Sequence, residues 1–380
     1  NVIINTQLTH CDHPARNLCT AALIDYIFRT TPIEGYNINQ YLDLVAIGLV
    51  ADVMPLININ RWYVNEGLKQ IQTNPRPAIL ELCISAKINH ATITSKDIAF
   101  SIAPRLNAAG RLGDPRPVVK TLIETNPEKI THHIIELEKM NTKRRQFGSD
   151  IQKDIDNNIQ TNSTNNLGVI YSGKYWHMGI IGINAARLVE KYNKPAVIIG
   201  FDDTVARGSA RSMPGINIYN ILNECRDYLI HFGGHSQAAG FSLHPKNIAE
   251  FKETFIKKCN SFIKESDLIP KLTIDCKISL KEINKQFIEQ LSQLEPFGEK
   301  NNQPIFVSSV NLIDAKKVGK SQDHLKCRFE QNGTIIDAIG FSLAYKLESI
   351  TNQKVDIVFN ATLNNFNGKL TPQLELIDIK

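Results

Sequence analysis

Leu42 to Val53 reads Leu-Asp-Leu-Val-Ala-Ile-Gly-Leu-Val-Ala-Asp-Val, a nearly continuous apolar run with one acid near each end. Such a run suits a helix or strand buried on all sides, with its end opening into a site. Around it, residues 1–115 read as alternating helix and strand. Pro75 and Pro77 punctuate a loop before a helix over 78–86. From 127 to about 160 the spacing turns helical. Ile130, Ile134, Leu137, Phe147, Ile151, Ile155 and Ile159 recur at three- and four-residue intervals or multiples of them. Thirty-odd residues at about 1.5 Å each give a rod of roughly 45 Å with a charged outer face, which predicts a connector between domains. The polar Thr161-Asn-Ser-Thr-Asn-Asn marks its end.

The next segment returns to α/β patterning, with strands expected at 167–171, 196–201 and 239–243 and helices at 180–191, 216–229 and 247–262. A third unit begins near 271. It combines one amphipathic helix, 280–294, with short β-patterned runs at 304–313, 324–330, 334–341, 354–363 and 370–379. Turn signals such as Asn332-Gly333 and Asn367-Gly368 separate these runs. Five short strands of this kind predict a small barrel of the OB type.

Composition narrows the function classes. At 380 residues with 42% hydrophobic and 21% charged side chains, the chain has room for two or three globular domains. It shows no apolar run of the roughly 20 residues that span a bilayer. Its start, Asn-Val-Ile-Ile-Asn, has neither the basic flank nor the apolar stretch of a signal peptide, and no initiator Met. The expectation is a cytoplasmic protein, the remainder of something longer. Seven scattered cysteines without a C-x-x-C point to reduced thiols, and the sequon at Asn162 carries no meaning in that setting. Of the net +5, residues 166–263 hold +4. That surplus fits a segment that meets a polyanion, and fits a slightly basic surface equally well.

Several stretches could carry chemistry. Arg105-Leu-Asn-Ala-Ala-Gly-Arg111 places two guanidinium groups, the Asn107 amide and a glycine in seven residues, a composition suited to gripping phosphate from a loop lip. A surface turn with solvated arginines would look similar. Trp176 to Arg187 follows a strand candidate and opens a helix. His177 there is either a ligand contact or a packed, hydrogen-bonded histidine. In Arg207-Gly-Ser-Ala-Arg-Ser212, a strand would set Arg207, Ser209 and Arg211 on one face. Phe232-Gly-Gly-His-Ser-Gln-Ala-Ala-Gly240 suggests a glycine turn that presents His235 and free N–H groups as an anion nest. Asp52 ends the apolar run, and a buried acid there calls for a metal or a basic partner. His10-Cys-Asp-His13 lacks the second pair that a zinc site needs.

Taken in order, these motifs resemble the RecJ family, the single-strand-specific 5′→3′ DNA exonucleases among the DHH phosphoesterases. The matching stretches are Gly48–Leu56, Pro104–Leu112, His177–Ile183, Gly208–Ser212 and Phe232–Gly240, with Leu294–Phe306 resembling the family's entry into its OB-like domain. The resemblance covers essentially the whole chain. It implies an α/β fold: the remainder of a DHH lobe (1–116), a long connecting helix (117–164), a DHH-associated α/β lobe (165–264) and a C-terminal OB-like β-barrel (265–380). It implies Mn²⁺ or Mg²⁺ in a two-metal site with Asp52 as a catalytic ligand. It implies substrate contacts from Arg105, Asn107, Arg111, His177, Ser209, Arg211, Ser212, Gly233, Gly234 and His235. The expected partner is single-stranded DNA, with a single-strand-binding protein or a helicase alongside, in DNA repair and recombination.

One departure is large. The family's Asp-His-His triplet and most of its metal ligands belong to motifs upstream of the position matching Asn1, and this sequence holds no Asp-His-His. Asp12-His13-Pro14 falls at a different point, and Leu18-Cys-Thr-Ala-Ala-Leu replaces a stretch usually richer in glycine. Two-metal hydrolysis needs several carboxylates. The first expectation is a metal-dependent exonuclease. Its rival is a non-catalytic single-strand-binding remnant, or one half of a split nuclease.

Overall fold

The computed structural model describes residues 4–6, 13, 16–35, 37–157, 166–350, 353–366 and 369–380. Cys11, most of the His10–His13 cluster, Ile159, the Asn162 sequon, the polar boundary at 161–165 and the Asn367-Gly368 turn lie outside the described residues. The chain forms two compact units: residues 1–75, 89–100 and 272–380 in one, 76–88 and 101–271 in the other.

In the first unit, helices α1 (Thr20–Thr30), α2 (Leu42–Ala51) and α3 (Asn58–Thr73) lead the chain. The apolar run is α2, buried at Leu42, Val45, Ala46, Ile47 and Leu49. It meets α3 at Gly67, where a Cβ would lie 2.3 Å from the Leu42 carbonyl oxygen, so only glycine allows the approach. Asp43 is fully buried, and its carboxylate accepts the Leu44 amide at 2.8 Å.

The one-turn α5 (Ser95–Asp97) carries a capping box from Thr94. Its Ser95 hydroxyl donates to the Phe297 carbonyl at 2.6 Å, and the Leu56 amide donates to the Glu299 carbonyl at 2.7 Å. These bonds seat the 294–306 stretch within this unit.

The barrel strands are β6 (Cys276–Lys277), β7 (Phe306–Val318), β8 (His324–Gln331), β9 (Thr334–Gly340), β10 (Lys354–Phe366) and β11 (Lys369–Ile379). Their order is β6-β7-β8-β9-β11-β10, and β10 pairs back onto β7 to close the sheet around Phe306, Phe329, Ile357, Phe359 and Leu374. Asn332 and Gly333 both have positive φ (50° and 82°), as the predicted hairpin turn requires. The amphipathic pattern at 280–294 yields a shorter helix, α12 (Lys285–Leu291), with a single 3-10 turn on either side. Asn284 interrupts it: its side chain accepts the Phe287 amide and starts the helix afresh.

In the second unit, α4 (Pro77–Ala86), α6 (Ala103–Leu112) and α7 (Arg116–Ile123) gather on α8 (Pro127–Asn157), the long helix of 31 residues that the periodicity predicts. The five-stranded sheet that follows has the order β1-β2-β3-β5-β4. Its members are β1 (Val169–Lys174), β2 (Ala196–Phe201), β3 (Ala206–Arg211), β4 (Leu229–Gly234) and β5 (Ala238–Leu243). Only β1 and β2 run parallel.

Alternation splits the sheet between two cores. Val169, Tyr171, Ala196 and Ile198 pack with α8 and α9 (Ile181–Tyr192). Ile170, Val197 and Ile199 pack with α10 (Ile218–Asn223) and α11 (Ile248–Phe262). The helix expected over 216–229 stops at Asn223 because β4 takes the residues from Leu229 on.

The expected α/β alternation of residues 1–115 is not observed. From residue 13 to 124 every described element is helical. An apolar run of this length is compatible with a buried strand or a buried helix, and here it forms a helix packed against α1 and α3. Among the described residues no helix is long and apolar enough to cross a membrane. Cys19, Cys83, Cys225, Cys259 and Cys327 are buried, and Cys276 is exposed.

One backbone approach in the second unit is close enough to test. A Cβ at Gly208 on β3 would lie 2.0–2.4 Å from the Phe241 ring, which is 6% exposed in the core beside Phe251. Gly208→Ala should therefore destabilise the fold by about 1–3 kcal/mol through overpacking. Denaturant unfolding reads this directly, and an unchanged midpoint would mean that Phe241 swings aside freely.

Candidate nucleic-acid interface

The Arg105–Arg111 motif is not a loop. It is the body of α6, started by Pro104 in the first turn. The helix separates its two arginines. Arg105 Nε donates to Glu138 Oε1 on α8 at 2.5 Å, and its NH1 donates to the Ser101 carbonyl at 2.8 Å. Arg111 is exposed and reaches the Gly179 carbonyl at 3.5 Å. Gly179 is needed there, since a Cβ would lie 2.0 Å from the Arg111 carbonyl oxygen. Asn107 is exposed on the same helix.

Strand β3 behaves as its alternation predicts. Ala206, Gly208 and Ala210 are buried, whereas Arg207, Ser209 and Arg211 share the other face. Arg211 NH1 donates to Ser209 Oγ at 3.2 Å and to the Ala210 carbonyl at 2.9 Å. The first turn of α9 lies against them: a Cβ at Gly182 would sit 3.0 Å from Ser209 Oγ and 3.1 Å from Arg211 NH2. Burial pushes the Arg211 guanidinium below its ordinary pKa, and the charge of Arg111 pushes the same way. The Ser212 hydroxyl beside it is buried with no hydrogen-bond partner.

The glycine motif departs from expectation. Gly233 and Gly234 end strand β4, and the turn comes after them, at 235–237. Gly234 has φ +148°, and its Cβ would strike the Ala238 carbonyl oxygen at 2.3 Å. The His235 amide donates to that same carbonyl at 2.8 Å, so it is not free to join an anion nest. The His235 side chain is exposed. His177 proves to be packed: its Nδ1 accepts the Gly179 amide at 3.1 Å, and its ring stacks on Phe147 at 5.2 Å.

Asp52 belongs to the other unit. It is the exposed C-cap of α2, so burial gives it no reason to seek a partner, contrary to the sequence expectation. Among the described residues no group of three or more His, Cys, Asp or Glu side chains gathers as a metal site would require. The donor set among the described residues therefore does not fit a two-metal centre.

Sequence reasoning missed Arg144 and Arg187. Burial lowers the Arg144 guanidinium below its ordinary pKa, and the charges of Arg111, Arg145, Arg187 and Arg105 lower it further. Helices α6, α8 and α9 thus bring Arg105, Arg111, Arg145 and Arg187 within electrostatic range of Arg144, and Arg111 also acts on Arg211 on β3. The available signals were the Lys143-Arg144-Arg145 run on the connector and the arginine that closes the Trp176–Arg187 stretch.

The DHHA1 domain family matches residues 166–261, and the RecJ OB domain family matches residues 274–378. The single-stranded-DNA-specific exonuclease RecJ of Bacillus subtilis is 28% identical over 380 residues, covering 99% of this chain and 48% of its own length. Along its whole length the chain is similar to RecJ. The RecJ of Haemophilus influenzae is also 28% identical, with 100% of this chain and 70% of that protein covered. The fold agrees with crystal structures of RecJ from Thermus thermophilus. The one in complex with Mn²⁺ gives a TM-score of 0.82 at 22% identity over 99% of this chain and 55% of that one. The one in complex with Mg²⁺ gives 0.80 at 24% over 94% and 55%. The chain spans about half the length of the Bacillus RecJ.

Proposed function

We propose that this chain holds single-stranded DNA for a RecJ-type 5′→3′ exonuclease, with the arginine face of α6, α8, α9 and β3 gripping the phosphates. The observation that carries the reading is that face itself. Arg105, Arg111, Arg144, Arg187 and Arg211 cluster there, and the ion pair with Glu138 is the one carboxylate contact recorded for them among the described residues. Guanidinium forks match phosphate oxygens and ignore base identity, which suits a processive, sequence-tolerant enzyme. The domain assignment follows the family: 1–116 the DHH part, 117–164 the connector, 165–264 the DHH-associated lobe and 265–380 the OB-like domain. Ser209, Arg211 and Arg111 would take the 5′-terminal phosphate.

Affinity for an unstructured oligonucleotide should fall steeply with salt. Each phosphate contact contributes about −0.7 to the log–log slope for single strands, so three to five contacts predict a slope of roughly −2 to −3.5. A filter-binding or anisotropy titration at several salt concentrations measures it. A flat response, or equal affinity for blunt duplex, would sink the reading.

A further inference from the structure

Helix α8 carries Glu138, Asn141 and Arg144 at three-residue spacing, which puts them along one side of the helix. They form a connected chain of polar contacts. Glu138 Oε1 accepts from Arg105 Nε and from the Ser85 hydroxyl, each at 2.5 Å. The buried Asn141 amide stabilises the same carboxylate, and its Oδ1 accepts from Arg144 Nε at 3.2 Å and NH2 at 2.9 Å. Burial pushes the Glu138 carboxyl up, but the Ser85 and Arg105 contacts outweigh it and hold it below the ordinary glutamate range. The carboxylate therefore persists through the whole neutral range and is lost only when pH falls through that lowered value.

Arg105 gives the protein its Nε and NH1, and Arg144 gives its Nε and NH2. One terminal nitrogen on each makes no hydrogen bond among the described residues and is left over for another acceptor. Both side chains are fixed in direction by these bonds, and the charges of Arg111, Arg145, Arg187 and Arg105 act against holding Arg144 there in the unliganded fold.

We propose that Glu138 and Asn141 are positioning residues that aim Arg105 and Arg144 at an internal phosphodiester of the bound strand, separate from the terminal phosphate at Ser209 and Arg211. The inference rests on the functional reading above, and it opposes a simpler role for Glu138 as a counter-charge. The two roles differ in sign. Removing a counter-charge leaves the face one unit more positive, so binding tightens and the salt slope steepens. Removing an aiming group loses contacts, so binding weakens and the slope flattens.

The test uses the 380-residue chain and a 5′-hydroxyl oligothymidine. Glu138→Gln, close in shape, should weaken binding about tenfold and flatten the log–log slope by about 0.7 to 1.4. Asn141→Ala and Arg144→Ala should each flatten it by about 0.7, and the double variant should be no flatter than either single one. Thermal unfolding checks that each variant is folded. Should Asn141→Ala fail that check, Arg144→Lys asks the same question, because lysine keeps the charge without the two-pronged bond to Asn141. Tighter binding by Glu138→Gln, additive losses in the double variant, or full affinity in Arg144→Lys would overturn the inference. If the parent chain shows no salt-dependent binding, the functional reading fails and takes the inference with it. If the parent binds and the variants leave its slope unchanged, the inference alone fails.

Discussion

Replacing Arg211 by alanine should weaken binding of a 5′-phosphorylated single strand about 10- to 100-fold, and that of the 5′-hydroxyl strand far less. The guanidinium is already oriented by Ser209 and by the Ala210 carbonyl, and it faces the charge of Arg111. A terminal phosphate adds charge and acceptor oxygens at such a fork, and a charge-assisted hydrogen bond contributes about 1.5–3 kcal/mol. The fold should survive, since alanine already alternates along β3 and the guanidinium makes no ion pair among the described residues. His235→Ala should show the same preference more weakly, because its side chain is exposed and its amide is committed to the hairpin. Competition between the two strands for one variant measures the ratio. Equal losses would mean that Arg211 tracks internal backbone instead.

Incubated with Mn²⁺, the purified 380-residue chain should leave labelled single-stranded DNA intact. Hard divalent ions need about six oxygen ligands, and Asp52 stands exposed without two further His, Cys, Asp or Glu side chains beside it among the described residues. Calorimetry with Mn²⁺ should accordingly show only weak binding. Supplying a segment with the family's Asp-His-His motifs, fused or in trans, should bring digestion, and Asp52→Ala should then lower it by orders of magnitude. Digestion by the unaided chain, free of contaminating nuclease, would reveal a metal site outside the residues described.

What could be read from the sequence was whatever repeats with a period or depends on neighbours along the chain. The long helix α8 announced itself through apolar positions on one stripe, and the barrel through short alternating runs and the Asn332-Gly333 turn. β3 was legible as a face because small residues alternate with Arg207, Ser209 and Arg211. The all-helical character of residues 13–124 was not legible, since apolar residues at nearly every position of α2 leave no amphipathic signal. The site was half legible for a related reason. Motifs show which residues are close in sequence, whereas the Arg105–Glu138 and Arg144–Arg187 proximities arise from helices tens of residues apart. The same blindness made Asp52 look buried and the Gly233-Gly234 pair look like the turn itself.

The cysteines turn the molecule into its own stopwatch. Cys19 and Cys327 sit in the first unit, and Cys83, Cys225 and Cys259 in the second, all out of reach of solvent. Burial also suppresses the thiolates of Cys19, Cys225, Cys259 and Cys327, pushing Cys225 up to about 11 and Cys327 to about 12. A maleimide thus reacts at once with exposed Cys276 and with the buried five only when a unit opens. Reading which cysteines become labelled, and when, times the opening of each unit separately, in the presence or absence of a nucleic-acid strand, with no mutation introduced.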